Sequence, residues 1–180
     1  SGVPTWAMVL IKRMMEIKGT DSLLDIWPNM ELFIHGGVSF RPYKEQFKKL
    51  IPSKKMHFIE SYNASEGFFA IQNDPDSDDL LLMMDYGIYY EFIPQAEYGR
   101  DFQKALSLEE VETGRNYVLV ITTNAGLWRY VPGDTIMFTS LNPFKIKITG
   151  RTKSFINAFG EEVIVDNSDF AITEACNVTG

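Results

Sequence analysis

The stretch Met56-His57-Phe58-Ile59-Glu60-Ser61-Tyr62-Asn63-Ala64-Ser65-Glu66-Gly67 decides how this chain is read. Met56 to Tyr62 is a strand-like run, and the residues from Tyr62 to Glu66 form the loop it delivers. Upstream, Leu32-Phe33-Ile34-His35 is a short apolar run halted by Gly36-Gly37, the pattern of a buried strand entering a loop. Between the two, Pro42 to Leu50 has helical spacing that buries Tyr43, Phe47 and Leu50 and exposes Lys44, Glu45, Lys48 and Lys49, with Pro52 closing it. Strand, helix and strand in that order predict a parallel α/β unit over residues 32 to 62. Nearer the start, Pro4 suits a first helical turn. Trp6, Val9, Leu10, Arg13 and Ile17 then recur at helical spacing until Gly19, which predicts an amphipathic core helix.

Beyond residue 67 the pattern changes. Phe68 to Gln72, Leu80 to Asp85 and Ile88 to Ile93 are short strand-like runs separated by turn residues. Tyr117 to Thr123, Leu127 to Val131, Thr135 to Thr139 and Phe144 to Thr149 continue the series. The fold class is therefore α/β with an antiparallel, β-barrel-like portion. A helix-like tail follows from about residue 166 to residue 177, with Asp166 or Ser168 as its cap.

The bulk numbers set limits. A chain of 180 residues, 45% hydrophobic and 13% aromatic, has the composition of a folded protein. Its 17 basic and 24 acidic residues leave a net charge of −7. That balance argues against a nucleic-acid surface, which needs clustered Lys and Arg. Cys176 is the single cysteine, so an internal disulfide and a cysteine-based zinc site are both excluded, and a reducing, cytoplasmic setting is expected. No apolar run approaches the roughly 20 residues that span a bilayer, so no membrane partner is expected.

Three separated segments carry chemistry. Tyr62 to Glu66 supplies an aromatic ring and an acid at the end of a strand, where open α/β sheets bind ligands. In Gly126-Leu127-Trp128-Arg129-Tyr130-Val131-Pro132-Gly133-Asp134 the Pro-Gly pair forces a turn from which Asp134 emerges. Gly150-Arg151 then ends a strand with a cation able to reach a phosphate or ribose. A ring for a purine, acids for a metal and a sugar, and an arginine together suggest one nucleotide pocket. The plain alternative is a set of surface turns with solvated charges.

In order and spacing these segments resemble the adenylate-forming superfamily of acyl-CoA ligases, luciferases and peptide-synthetase adenylation domains. The closer resemblance is to the Gretchen Hagen-type, auxin-responsive acyl-acid-amido synthetases. It rests on Gly2-Val3-Pro4-Thr5-Trp6, on Tyr62-Asn63-Ala64-Ser65-Glu66, on Gly126 to Tyr130 running into Gly133-Asp134, and on Arg151. It extends through Phe155-Ile156-Asn157 to Glu161-Glu162.

The resemblance implies ATP and AMP as nucleotides and Mg2+ as metal. It implies that Tyr62 stacks on adenine, that Ser65 joins the nucleotide-binding residues, and that Glu66 positions magnesium beside the α-phosphate. Asp134 would bind the ribose hydroxyls, and Arg151 would sit at a hinge near the ribose. Gly37 would let the backbone approach adenine, with His35 beside it; Glu66 and Arg151 are the implied catalytic pair. Val131, Pro132 and Lys153 depart from the residues usual there.

The implied reaction joins a carboxylic acid to AMP and then passes the acyl group to an amine, with an amino acid expected as acceptor. Residues 1–149 would be part of a large adenylation domain, with an α/β part to about 72 and a β-rich part over 73–149. Residues 150–180 would be the hinge and the start of a small C-terminal domain. The family places a Ser/Thr/Gly-rich phosphate loop upstream of this region, so the isolated chain is expected to be inactive. Two alternatives stand beside this reading: thioester formation on coenzyme A, and a noncatalytic β-rich binding module.

Other patterns carry less. Asp74, Asp76 and Asp78 alternate, but Asp79 stands where a calcium loop needs glycine. His35 and His57 lack ligand-spaced partners for zinc, and no Ser-His-Asp order stands out. The lysines from Lys44 to Lys55 read as a wet helix face.

Overall fold

The computed structural model describes residues 2–152, together with 156–158 and 161–163. The expected tail helix over 166–177 lies outside the described residues, as does Lys153. Helix α1 spans Pro4–Lys18 with Pro4 in its first turn, and Gly19 closes it in the left-handed conformation at φ 72°. Strand β1, Leu32–His35, leads through a 3-10 turn at Arg41–Tyr43 into α2, Lys44–Leu50. Strand β2, His57–Ala64, returns parallel to β1 in the register Phe33 to Phe58 and His35 to Glu60. The α/β unit expected over residues 32 to 62 is therefore present.

From β2 to β5 along the sheet, every strand-to-strand pairing is antiparallel. Strands β3 (Gly67–Gln72), β4 (Leu80–Leu82), β5 (Ile88–Pro94), β6 (Asn116–Thr123), β7 (Asp134–Leu141) and β8 (Phe144–Arg151) complete one eight-stranded sheet. Its order is β1-β2-β3-β4-β8-β7-β6-β5. A small antiparallel hairpin of β9, Ile156–Ala158, and β10, Glu161–Val163, follows.

The α/β fold with an antiparallel, barrel-like portion is present: the sheet curls round a core without closing into a barrel. Its end strands, β1 and β5, pair with short segments instead of each other. Gly2 donates its amide to Ile34 on the outer side of β1, and Leu106 exchanges both backbone bonds with Phe92 on β5. These short segments cover part of each edge.

Two cores follow from the two halves. Phe33, Phe40, Phe47 and Ile51 pack with Met8, Ile11 and Met15 beneath α1 and α2. The curled antiparallel strands enclose Phe69, Phe92, Tyr117, Phe138 and Ile146, with Phe92 edge-on to Phe138 at 5.0 Å. Helix α1 corrects an expectation. Met8, Ile11 and Met15 are its buried face, whereas Trp6 is 74% and Ile17 73% exposed.

The run Leu127 to Val131 is not a strand; only Tyr130 pairs, with Ile121. Arg129 has φ 46° and Gly126 φ 101°, and these left-handed residues break the extended geometry a strand requires. Among the described residues no helix is long and apolar enough to cross a membrane.

Candidate functional site

A cavity of about 1110 Å³ opens on the face of the sheet that carries Phe58, Glu60 and Tyr62 of β2. Helix α2, the loop over 36–43 and the turn over 51–57 form its opposite wall. Strands β7 and β8 bring Asp134, Thr149, Gly150 and Arg151 to its rim. Topology explains the meeting: β2 and β8 are separated in the sheet by β3 and β4 alone, and Asp134 pairs with Arg151 across the β7–β8 ladder.

The Tyr62 hydroxyl donates to Asp134 Oδ2 at 2.7 Å. Arg151 Nε reaches Asp134 Oδ1 at 3.2 Å, and its Nη2 donates to the Pro132 carbonyl at 3.0 Å. The Thr152 amide donates to the Gly133 carbonyl at 2.8 Å, fastening the end of β8 to the Pro132-Gly133 turn. Gly133 makes that turn at φ 93°, a conformation costly for any side chain. Each carboxylate oxygen of Asp134 keeps a free lone-pair direction after these contacts, enough to accept from a diol. Burial and the adjacent Asp134 carboxylate push the Tyr62 phenol well above its ordinary range, so it stays a neutral donor.

Tyr62 lies on strand β2 itself, not in a loop, and only 6% of it is exposed. Its ring packs edge-on to Phe69 at 4.9 Å. The accessible part of the ring lines the cavity, but a whole stacking face is not presented. Because β2 continues to Ala64, the turn opens at Ser65 and Glu66 rather than at Tyr62. Ser65 is exposed and Glu66 half-buried at this hairpin tip, and neither lines the cavity. The structure thus brings Tyr62, Asp134, Arg151 and Gly37 together and leaves Ser65 and Glu66 beside the group.

Gly36 and Gly37 shape the other rim. A Cβ on Gly36 would stand 2.3 Å from the Ser61 carbonyl oxygen, and Gly37 has φ 83°. His35 is 3% exposed, stacks on Phe40 at 4.0 Å and has an unpartnered Nδ1. Burial, with Lys44 adding to it, lowers its pKa to about 4.

One group went unread in the sequence. Glu60 faces the cavity from the middle of β2, and burial with Asp78 nearby raises its pKa to about 7 against the opposing pull of Arg41. The signal was available: an acid two residues before Tyr62 shares its face of a strand. Lys44 and Lys48 also line the cavity, so part of the helix face read as wet is turned toward it. Asp78 and Asp79 of the acidic loop are held by Arg41 at 3.2 Å and Lys147 at 3.4 Å.

Among the described residues no group of three His, Cys, Asp or Glu side chains could hold a metal. Magnesium does not need one, since it binds through one or two carboxylates plus substrate phosphates and keeps several waters.

The GH3 family N-terminal domain pattern matches residues 1–56, and the GH3 family central domain pattern matches residues 81–151. The chain belongs to the GH3 family. Indole-3-acetic acid-amido synthetase GH3.3 of Arabidopsis thaliana is 32% identical over 121 residues, covering 63% of this chain and 20% of the relative. Indole-3-acetic acid-amido synthetase GH3.8 of Oryza sativa subsp. indica is 32% identical over 128 residues, covering 65% and 20%. The GH3 chain thus spans about a fifth of the length of the curated relatives it matches.

Among solved structures, GH3.15 acyl acid amido synthetase superposes with a TM-score of 0.64 at 22% identity, over 85% of this chain and 27% of that one. A 2-hydroxyisobutyryl-CoA ligase in complex with 2-HIB-AMP and CoA gives 0.64 at 16% identity, over 96% and 40%. At these identities the likeness is one of fold, shared with an acyl acid amido synthetase and an acyl-CoA ligase.

Proposed function

We propose that this GH3 chain is the nucleotide-binding central part of an ATP-dependent acyl-acid-amido synthetase. The observation that supports it most is the contact of Tyr62, Asp134 and Arg151 at one cavity rim, from three separate segments. AMP lies with adenine against the accessible part of Tyr62 and the Gly36-Gly37 backbone, and with its ribose hydroxyls on Asp134. Arg151, already oriented by Asp134 and Pro132, supplies positive charge beside the sugar. Ser65 and Glu66, at the tip of the β2–β3 hairpin, belong to the phosphate side.

In the whole protein, an oxygen of the acid's carboxylate attacks the α-phosphorus of ATP and pyrophosphate leaves. An amine, from an amino acid, then attacks the acyl carbon; the carbon–nitrogen bond forms, the bond to the AMP oxygen breaks, and protons pass to solvent. Magnesium at Glu66, when bound, offsets charge on the phosphate oxygens. We assign residues 1–149 to the large adenylation domain and 150–180 to the hinge and first part of a small domain, in a cytoplasmic enzyme. Neither step is assigned to the 180-residue chain alone. GH3.15 acyl acid amido synthetase has been solved with the acid 2,4-DB, which supports a small carboxylic acid as one substrate.

Thermal shift of the 180-residue chain with AMP tests the site. Stabilisation that disappears in Asp134→Ala supports it, and indifference to AMP contradicts it. For the whole protein, product mass with ATP, an acid, and either amino acids or coenzyme A tests the acceptor. An acyl amide is expected, and a thioester would overturn that assignment.

A further inference from the structure

The β7–β8 ladder is irregular at its cavity end. Asp134 stands opposite Arg151 and Thr135 opposite Gly150, but Ile136 stands opposite Ile148. Thr149 is therefore the extra residue of a β-bulge, with no register partner of its own. In a regular ladder continuing from Ile136, Thr135 would face Thr149 and Asp134 would face Gly150. Arg151 would then stand across from Gly133. The bulge advances β8 by one residue and sets Arg151 across from Asp134, where its Nε meets Oδ1 at 3.2 Å. Bulges beside binding sites re-aim side chains in this way.

An unpaired residue interrupts the ladder, so the bulge needs other contacts to hold it. Thr149 Oγ1 donates to Thr135 Oγ1 at 3.0 Å, and the two residues are 4% and 1% exposed. Among the described residues each hydroxyl has the other as its partner. Valine matches the branched shape and strand preference of threonine, so packing alone does not call for threonine at either position. What threonine adds is a hydroxyl, and a buried hydroxyl is costly unless bonded. The bond spans the irregularity. Thr135 adjoins Asp134, and Thr149 lines the cavity two residues before Arg151. On the far side, the Thr152 amide on Gly133 and Arg151 Nη2 on Pro132 fasten the end of β8.

We propose that Thr135 and Thr149 are positioning residues, whose hydroxyl bond locks the β8 bulge and so keeps Arg151 opposite Asp134. The pair touches no ligand. It acts through the carboxylate: Arg151 fixes the Asp134 oxygens in the orientation that accepts from the ribose diol. This rests on the nucleotide site assigned to Tyr62, Asp134 and Arg151, and adds the device that holds its acid and its cation in register.

Two measurements on the 180-residue chain test it. Without ligand, the NMR signal of the Arg151 Nε–H should move toward that of a free guanidinium in Thr149→Val and return in Thr149→Ser, which restores the hydroxyl. Calorimetry then compares AMP with 2′,3′-dideoxyadenosine 5′-monophosphate, which lacks the diol. The unaltered chain and Thr149→Ser should prefer AMP by about tenfold, the scale of a hydrogen bond to a charged group. Thr149→Val and Thr135→Val should each lose most of that preference, and the double variant should lose no more, because one bond is removed in all three. Should Thr149→Val not fold, Thr149→Ala carries the same comparison. An unmoved Arg151 signal in a folded hydroxyl-free variant, or equal weakening of both ligands, would overturn the positioning role alone. An unaltered chain that binds both ligands equally, or neither, would overturn the ribose site beneath it.

Discussion

The Tyr62 hydroxyl and the Asp134 carboxylate lie 2.7 Å apart although 72 residues separate them in the chain. The bond ties β2 to the first residue of β7 and aligns the two segments whose chemistry matters most. It also has an energetic consequence. A hydrogen bond to a partly buried charged group contributes about 1.5–3 kcal/mol. Tyr62→Phe removes the donor and leaves the ring in place, so urea denaturation should show a loss of about 2 kcal/mol. A double-mutant cycle with Asp134→Asn should return a coupling of similar sign and about 1 kcal/mol or more. Additive effects would mean that the two side chains do not meet.

The pair Gly36-Gly37 makes a second prediction. The Ser61 carbonyl leaves no space at Gly36, so Gly36→Ala must push β1 from β2, and a loss of at least about 2 kcal/mol is expected. Gly37→Ala is strained through its positive φ and should cost about 1–2 kcal/mol. Gly2→Ala meets nothing within 4 Å and serves as the neutral comparison. Equal melting temperatures for all three would contradict the close approach.

Helix α1 shows what the sequence left open and why. Its segment is apolar on more than one side, so helical period alone does not choose which face is buried. Packing chose Met8, Ile11 and Met15, and flexible methionine side chains fill the irregular surface of Phe33 and Phe47. The unit from β1 through α2 to β2 was legible because turn residues and period agreed at every step. The convergence of Tyr62, Asp134 and Arg151 on one cavity rim was legible in their order. How far β2 runs was not legible, because it depends on pairing with β3 and moves Glu66 to the hairpin tip. Glu60 shares a strand face with Tyr62, which its spacing shows, but its raised pKa comes from burial supplied by distant segments.

Opposed titrations give a third prediction. The raised pKa of Glu60 means its contribution to stability is full below about pH 4.5 and is lost as pH rises to about 7. The lowered pKa of His35 works the other way: its contribution is full above about pH 6.5 and is lost as pH falls to about 4. Each has a limiting slope of about 1.4 kcal/mol per pH unit, so between pH 4.5 and 6.5 the two offset each other. Glu60→Gln should unmask the histidine, with melting temperature rising with pH across that range. A melting profile unchanged by Glu60→Gln would show that the two groups do not titrate as described.

Under the proposed function, Glu66 acts on the metal and not on the base. Glu66→Gln should leave AMP binding without magnesium within about twofold, because the hairpin tip lies outside the cavity. It should weaken Mg-ATP by about tenfold, the loss of one carboxylate near the metal. Calorimetry with each ligand decides; equal losses for both would place Glu66 on the nucleotide itself.

The central claim is that one nucleotide is held where β2, the Pro132-Gly133 turn and the end of β8 meet. Amide NMR of the 180-residue chain titrated with AMP tests it most directly. Saturable shifts should concentrate at Gly37, Tyr62, Asp134 and Arg151 and vanish in Asp134→Ala. Shifts centred elsewhere, or none at millimolar AMP, would contradict the account.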